Sequence, residues 1–233
     1  MILIQLILAH LIGDFLLQPK KWVEDKEQRT YRSKYLYLHV LIHAALVMIL
    51  LWDLNLWWIA VIIGVSHYMI DLIKLEFQKP KTKKIWFFAD QFLHIAVIVA
   101  IGVYQQQISV EIFGNHEFLK YLAGVVFLTT PVSVIMRILL STWTPSTTHQ
   151  SNLETESLTN AGKYIGILER LLVFTFISVN HWEGVGFMIA AKSIFRFSDL
   201  AQAKQRKLTE YVLIGTLLSF GIAVCTAILI HYL

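Results

Sequence analysis

Four polar pairs stand inside strongly apolar stretches of this sequence: His10 with Asp14, His39 with His43, His67 with Asp71, and Asp90 with His94. Each pair is spaced four residues apart. On an α-helix, residues i and i+4 share a face about one turn apart. Imidazole and carboxylate are both good donors to divalent metals. Each pair therefore offers two ligands in one direction, and four such helices could turn up to eight ligands toward one centre. A mixed His and Asp set suits zinc, with manganese or iron as alternatives, as one or two ions. The single cysteine, Cys225, allows no intramolecular disulfide and argues against a closed, thiolate-rich structural zinc site. A lone buried histidine is more often a hydrogen-bonded core residue than a ligand. Four pairs between residues 10 and 94 point instead to a site.

The elements that must carry these pairs are membrane helices. The chain has 233 residues, of which 56% are hydrophobic and only 15% charged, with a mean hydropathy of +0.59. A soluble domain needs more charge than this to cover its surface. Apolar runs of about 18 to 25 residues recur, the length that crosses a bilayer core. They are too long for the strands of a membrane β-barrel. The fold expected is an all-α, polytopic membrane helical bundle of about eight transmembrane helices, near residues 1–18, 36–52, 56–77, 85–104, 117–141, 161–180, 182–200 and 208–232. The first run lacks a basic n-region and carries His10 and Asp14, so it reads as a mature span rather than a cleaved signal. Residues 1–104 form one four-helix bundle with the motifs. Residues 105–233 form a second of about four helices, joined through a polar loop at 142–160. Pro131 is expected to kink the fifth span. The polar segment 19–35 reads as a short interfacial helix.

Basic residues set the orientation. Lys20, Lys21, Lys26, Arg29, Arg32 and Lys34 crowd the first connection, and Lys79, Lys81, Lys83 and Lys84 the third. Lys204, Arg206 and Lys207 fill the seventh, whereas the second, fourth and sixth hold no Lys or Arg. Odd-numbered connections then face the cytoplasm, with both termini outside, in a multi-pass membrane protein. With that topology all eight ligand candidates fall roughly 5–15 Å into the membrane from the cytoplasmic side. His10, His43, His67 and His94 form a deeper layer; Asp14, His39, Asp71 and Asp90 form a shallower one. Two such layers could hold metals about 3.5–4 Å apart.

The segment His10-Leu-Ile-Gly-Asp14-Phe-Leu-Leu-Gln18 resembles a family of uncharacterised bacterial inner-membrane proteins known as a domain of unknown function. His67-Tyr-Met-Ile-Asp71 and Asp90-Gln-Phe-Leu-His94 fit the same family over residues 1–104, and residues 160–220 resemble its longer members. The family label implies no activity. A looser likeness in pattern, to membrane-bound metal-dependent hydrolase-like proteins, implies a metallohydrolase without naming a substrate.

The second half carries its own cations. Arg170, Lys192 and Arg196 are expected at depth, where they could hold a phosphate or carboxylate, with Glu169 able to neutralise Lys192 or to pair with Arg170 of another protomer. The leading expectation is an integral-membrane, metal-dependent hydrolase facing the cytoplasm and acting on a phosphorylated or amphiphilic, lipid-like substrate. Asp14, Asp71 and Asp90 are its catalytic candidates, one of them free to act as general base. A metal or proton-coupled transporter would use the same residues, but it needs a polar path to both sides. Spans one to four turn apolar beyond the motifs, as in residues 44–51 and 95–103. A non-catalytic sensor or assembly subunit would use them as structural glue. The expected partners are the lipid bilayer, a small substrate and a second copy of the chain in a homo-oligomer. Nucleic acid is not expected, because the basic clusters are short and juxtamembrane.

Overall fold

The computed structural model describes residues 2–105, 117–141, 143, 152–200 and 206–232, without the side chains of 152–160, 195–200 and 206–209. The described residues are helical, with no strand among them. They divide into two compact units, Met1–Ala123 and Gly124–Leu233.

The first unit begins with α1, Ile2–Phe15. Fourteen residues rise only about 21 Å, short of a bilayer core. Pro19 then starts α2, Lys20–Arg29, and a 3-10 turn follows over Thr30–Arg32. Proline is well suited to a helix start because its missing N–H would have no partner there. The chain bends by 81° between α1 and this polar segment. Helix α3, Lys34–Leu51, ends at Trp52, whose left-handed backbone closes the last turn. Helix α4 runs Trp57–Phe77, and a short connection through Pro80 leads to α5, Lys83–Gln105. Helix α1 packs on α3 and α5, and α4 packs on the same two, so the four close into a ring. Half of that ring is filled by an apolar core that includes Leu6, Ala9, Val47, Ile59, Ile63 and Ile98. The ligand candidates occupy the other half: the C-terminal ends of α1 and α4 and the N-terminal ends of α3 and α5. Antiparallel neighbours bring those ends together.

The second unit includes α7, Thr130–Leu140, which continues α6, Glu117–Leu128, after a break at Thr129. Pro131 stands in the first turn of α7, so the expected kink is a true interruption of the helix. Helix α8, Asn152–Ser178, packs on α9, Trp182–Leu200, and on α10, Arg206–Tyr232. The polar stretch expected as a loop over 142–160 is shorter than that: α8 already begins at Asn152, and residues 144–151 lie outside the described set.

Among the described residues, five helical segments are long and apolar enough to cross a membrane, or six if the bent pair at the N-terminus counts as one span. That is fewer than the eight expected. The shortfall falls on α1, which is too short, and on α8 and α9. Lys163, Glu169 and Arg170 interrupt the apolar face of α8, and Glu183, Lys192 and Arg196 that of α9.

Candidate metal centre

The eight candidates of the four motifs meet inside the first unit. His10, His39, His43, His67, Asp71, Asp90 and His94 are all buried, and Asp14 is nearly so. Asp14 is the hub. Its Oδ1 lies 3.0 Å from His43 Nε2, 3.2 Å from His39 Nε2 and 3.4 Å from His67 Nε2. Its Oδ2 lies 3.9 Å from His10 Nε2. The deeper imidazoles stack: ring centroids are 3.8 Å apart for His43 and His67, and 3.9 Å apart for His67 and His94. The shallower carboxylates Asp71 and Asp90 face His94 Nε2 at 3.8 and 3.5 Å.

Three overlapping groups are tight enough to hold an ion, with one ligand atom per residue and all atoms within 4.8 Å of one another: His10, Asp14, His43 and His67; His39, His67 and Asp71; and Asp14, Asp90 and His94. Two features of the chemistry fit a metal, one in the first group and one at His39 of the second. Tetrahedral ligands about 2.0 Å from zinc stand about 3.3 Å from each other. The contacts of Asp14 Oδ1 with His43 and His67, at 3.0 and 3.4 Å, bracket that value. The second feature is a surplus of contacts. An imidazole Nε2 has either one proton or one lone pair. His39 Nε2 nonetheless lies 3.0 Å from Gln18 Nε2, 3.0 Å from His67 Nε2 and 3.2 Å from Asp14 Oδ1. Protons alone cannot satisfy that convergence, whereas a shared cation accepts a lone pair from each of several donors.

Four further residues complete the cluster, and the search for i, i+4 pairs missed them. Lys26 reaches in from α2, only 4% exposed, and its Nζ donates to Asp71 Oδ2 at 2.7 Å. Lys74 Nζ donates to Asp90 Oδ2 at 2.9 Å. Gln91 Nε2 donates to Asp14 Oδ2 at 2.9 Å and to Asp90 Oδ2 at 3.2 Å, while its Oε1 faces His10 Nε2 at 3.2 Å. Gly13 gives His43 its place: a Cβ at residue 13 would overlap the His43 imidazole. Lys74 lies three residues beyond Asp71, so a search at i, i+3 spacing would have reached it. On the apolar side, a cavity of about 10 Å³ separates the four deep imidazoles from residues such as Leu6, Val47 and Ile98. That is room for one water molecule.

The cations of the second half belong to the second unit. Arg170 is buried, and its guanidinium donates to Leu128 O at 2.8 Å, Ser133 Oγ at 2.7 Å, Ser219 Oγ at 3.2 Å and Thr129 O at 3.3 Å. Leu128 and Thr129 stand where the helix breaks before Pro131, so Arg170 satisfies backbone carbonyls that lipid could not. Lys192 donates to Glu169, the pairing anticipated from the sequence. The side chain of Arg196 lies outside the described residues.

Fold and cluster together define an all-α, multi-pass membrane protein with a buried His/Asp centre in its N-terminal unit. Residues 2–119 match the family described as protein of unknown function (DUF3307), and the chain belongs to that family. The match covers the whole of the ring α1 to α5. Neither the curated proteins nor the solved structures contain a match to this chain.

Proposed function

We propose that this chain is a metal-dependent hydrolase of the bacterial inner membrane. Its metal centre opens toward the cytoplasm, and its substrate is a phosphoester or other lipid-like amphiphile. The observation that carries the reading is the convergence of three imidazoles on Asp14 Oδ1 within 3.4 Å. His10, Asp14, His43 and His67 are the ligands of choice for zinc, manganese or iron. Such an ion supplies Lewis acidity, acidifying water and polarising a phosphoryl or carbonyl oxygen. The chain's own residues do the rest. Gln91 ties Asp14 to Asp90, and Lys74 fixes Asp90 through Oδ2. Asp90 Oδ1 is buried without a hydrogen-bond partner, and we assign it as the general base that takes a proton from water. The bilayer delivers an amphiphilic substrate to this depth. Both chain termini are placed outside, as the basic connections require, and α8 and α9 are read as two further, charge-bearing spans.

A second reading is favoured by one observation. The cavity beside the deep imidazoles has room for a single water, so the centre could bind its ion permanently and serve a sensor or assembly subunit without turnover. A transporter is disfavoured by the apolar half of the ring, which offers no second ligand set among the described residues.

The test is elemental mass spectrometry on protein purified in mild detergent, with His43→Ala/His67→Ala as the comparison at matched folding. About one or two equivalents of divalent metal in the wild type, lost in the variant, support the centre. Hydrolysis of phosphoester lipids that disappears in Asp90→Asn with the metal retained then supports the enzyme. Metal without hydrolysis of any such substrate supports the second reading.

A further inference from the structure

Lys26 stands out among the residues around the centre because its helix lies outside the ring. Helix α2 belongs to the polar segment that turns by 81° from α1. Apart from Lys26 it buries no residue. The ammonium group it sends inward meets one oxygen, Asp71 Oδ2, at 2.7 Å. That same oxygen faces His39 Nε2 at 3.9 Å, and His39, His67 and Asp71 form the second of the three groups able to hold an ion. Lys26 therefore puts a positive charge on the carboxylate oxygen that a second ion would need.

We propose that Lys26 is a tethered cation standing in for a second metal ion, so that the centre takes a single ion, in the His10, Asp14, His43 and His67 group. The inference rests on the metal-centre reading above and deepens it. Charge supports it. Asp14, Asp71 and Asp90 are three carboxylates, and Lys26 and Lys74 neutralise two of them. With the imidazoles counted as neutral, one negative charge is left after the two lysines, at Asp14, where the imidazoles converge. One divalent ion answers that charge. A second would leave several positive charges in a low-dielectric interior, which is costly unless an ammonium leaves. Ligand supply agrees: His67 belongs to the first two groups and has one Nε2 lone pair to give, and the third group would have to draw on Asp14, already a ligand of the first. The role is specific to Lys26. Lys74 also neutralises a carboxylate, but it holds Asp90 Oδ2, while Asp90 Oδ1 is the oxygen that faces His94.

The test is zinc stoichiometry, by elemental mass spectrometry after reloading the full chain in detergent with zinc alone and desalting. The wild type is expected to hold about one equivalent, Lys26→Met about two, and Lys74→Met about one. Lys26→Met/Asp71→Asn, which removes both members of the buried pair, is expected to return to about one. A folded Lys26→Met that stays at one equivalent overturns the proposal, as does a wild type that retains two after desalting. A Lys74→Met that also reaches two overturns it, because charge rather than position would then govern. Wild-type protein that holds no zinc fails the metal-centre reading itself, and this inference with it. If Lys26→Met does not fold, amine acylation of the wild type puts the same question. Lys26 is expected to resist labelling at one equivalent of zinc and to label only where excess zinc loads a second ion. A second ion bound with Lys26 still protected overturns the proposal.

Discussion

Lys26 in the first unit and Arg170 in the second are both buried cations, 4% and 3% exposed, yet they keep different company. Lys26 meets a carboxylate that is itself a candidate ligand, inside a cluster where three imidazoles share one carboxylate oxygen. Arg170 meets only neutral acceptors, two carbonyls at a helix break and two serine hydroxyls, and its geometry is complete as it stands. On the function proposed above, the difference separates a site from a scaffold. Buried polarity that satisfies its own hydrogen bonds holds helices together. Buried polarity with surplus lone pairs and an unbalanced charge calls for a ligand.

The sharpest way to break this comparison is to disturb the first cluster without touching a polar atom. Gly13→Ala adds one methyl group, and it would overlap the His43 imidazole. His43 must then leave Asp14 Oδ1, and the ion loses a ligand. Bound metal is expected to fall by more than about 10-fold in affinity, the scale at which even indirect disturbance of a metal site acts. Zinc titration against a chelator of known affinity reads the change. Metal affinity equal to wild type would remove His43 from the ligand set.

Arg170→Met is the matching change in the second unit. It removes the guanidinium that two carbonyls and two hydroxyls now share, although Thr129 O keeps the N–H and the hydroxyl of Ser133. Hydrogen bonds to a charged group are worth about 1.5–3 kcal/mol each, and the stranded acceptors regain only part of that. The variant is expected to lose about 3 kcal/mol of stability, measured by denaturant unfolding in detergent, while wild-type metal content persists in the folded fraction. Loss of metal at unchanged stability would show that Arg170 belongs with the centre, and the contrast between the units would fail.

Much of the first region was legible before any coordinates. The i, i+4 rule gives the two-ligand faces, and the shared depth of the four pairs predicts that alternating helices bring the right ends together. The rest depended on features that spacing rules do not contain. Lys26 sits in a mixed-charge segment that reads as interfacial, and only the 81° bend after α1 turns it under the ring. Gln91 is the neighbour of Asp90 in sequence, so a helix-face argument points it elsewhere, yet its long side chain reaches Asp14. Pro131 announced the break in the second region, but nothing in the sequence tied that break to Arg170, 39 residues further on. The span count was too high for a related reason. Hydropathy averages over α8 and α9 conceal cations whose depth depends on what they pair with.

Gln91→Leu sharpens the comparison by a smaller step. The substitution keeps the length near the site and removes the amide that links Asp14, Asp90 and His10. Partners of this kind hold ligands in orientation rather than bind the ion, and their loss typically costs 10–100-fold in metal affinity or activity. A fall of about 10-fold in zinc affinity with unchanged unfolding is expected. Restoration in Gln91→Asn would show that length is unimportant, and would argue against a fixed bridge.

The smallest effect is expected at Lys192. Its ammonium pairs with Glu169, and both side chains are partly accessible, at 26% and 16%. Exposed ion pairs contribute about 0–1 kcal/mol, and the remaining burial raises this only modestly. Lys192→Met should therefore change unfolding by about 1 kcal/mol or less, and Glu169→Gln by a similar amount. The double variant should then match the more affected single, as expected when one interaction accounts for both. Metal content is expected to stay at the wild-type level in all three. A selective loss of hydrolysis in Lys192→Met, with stability and metal intact, would be the informative surprise. It would give Lys192 the anion-holding role expected of the second half's cations.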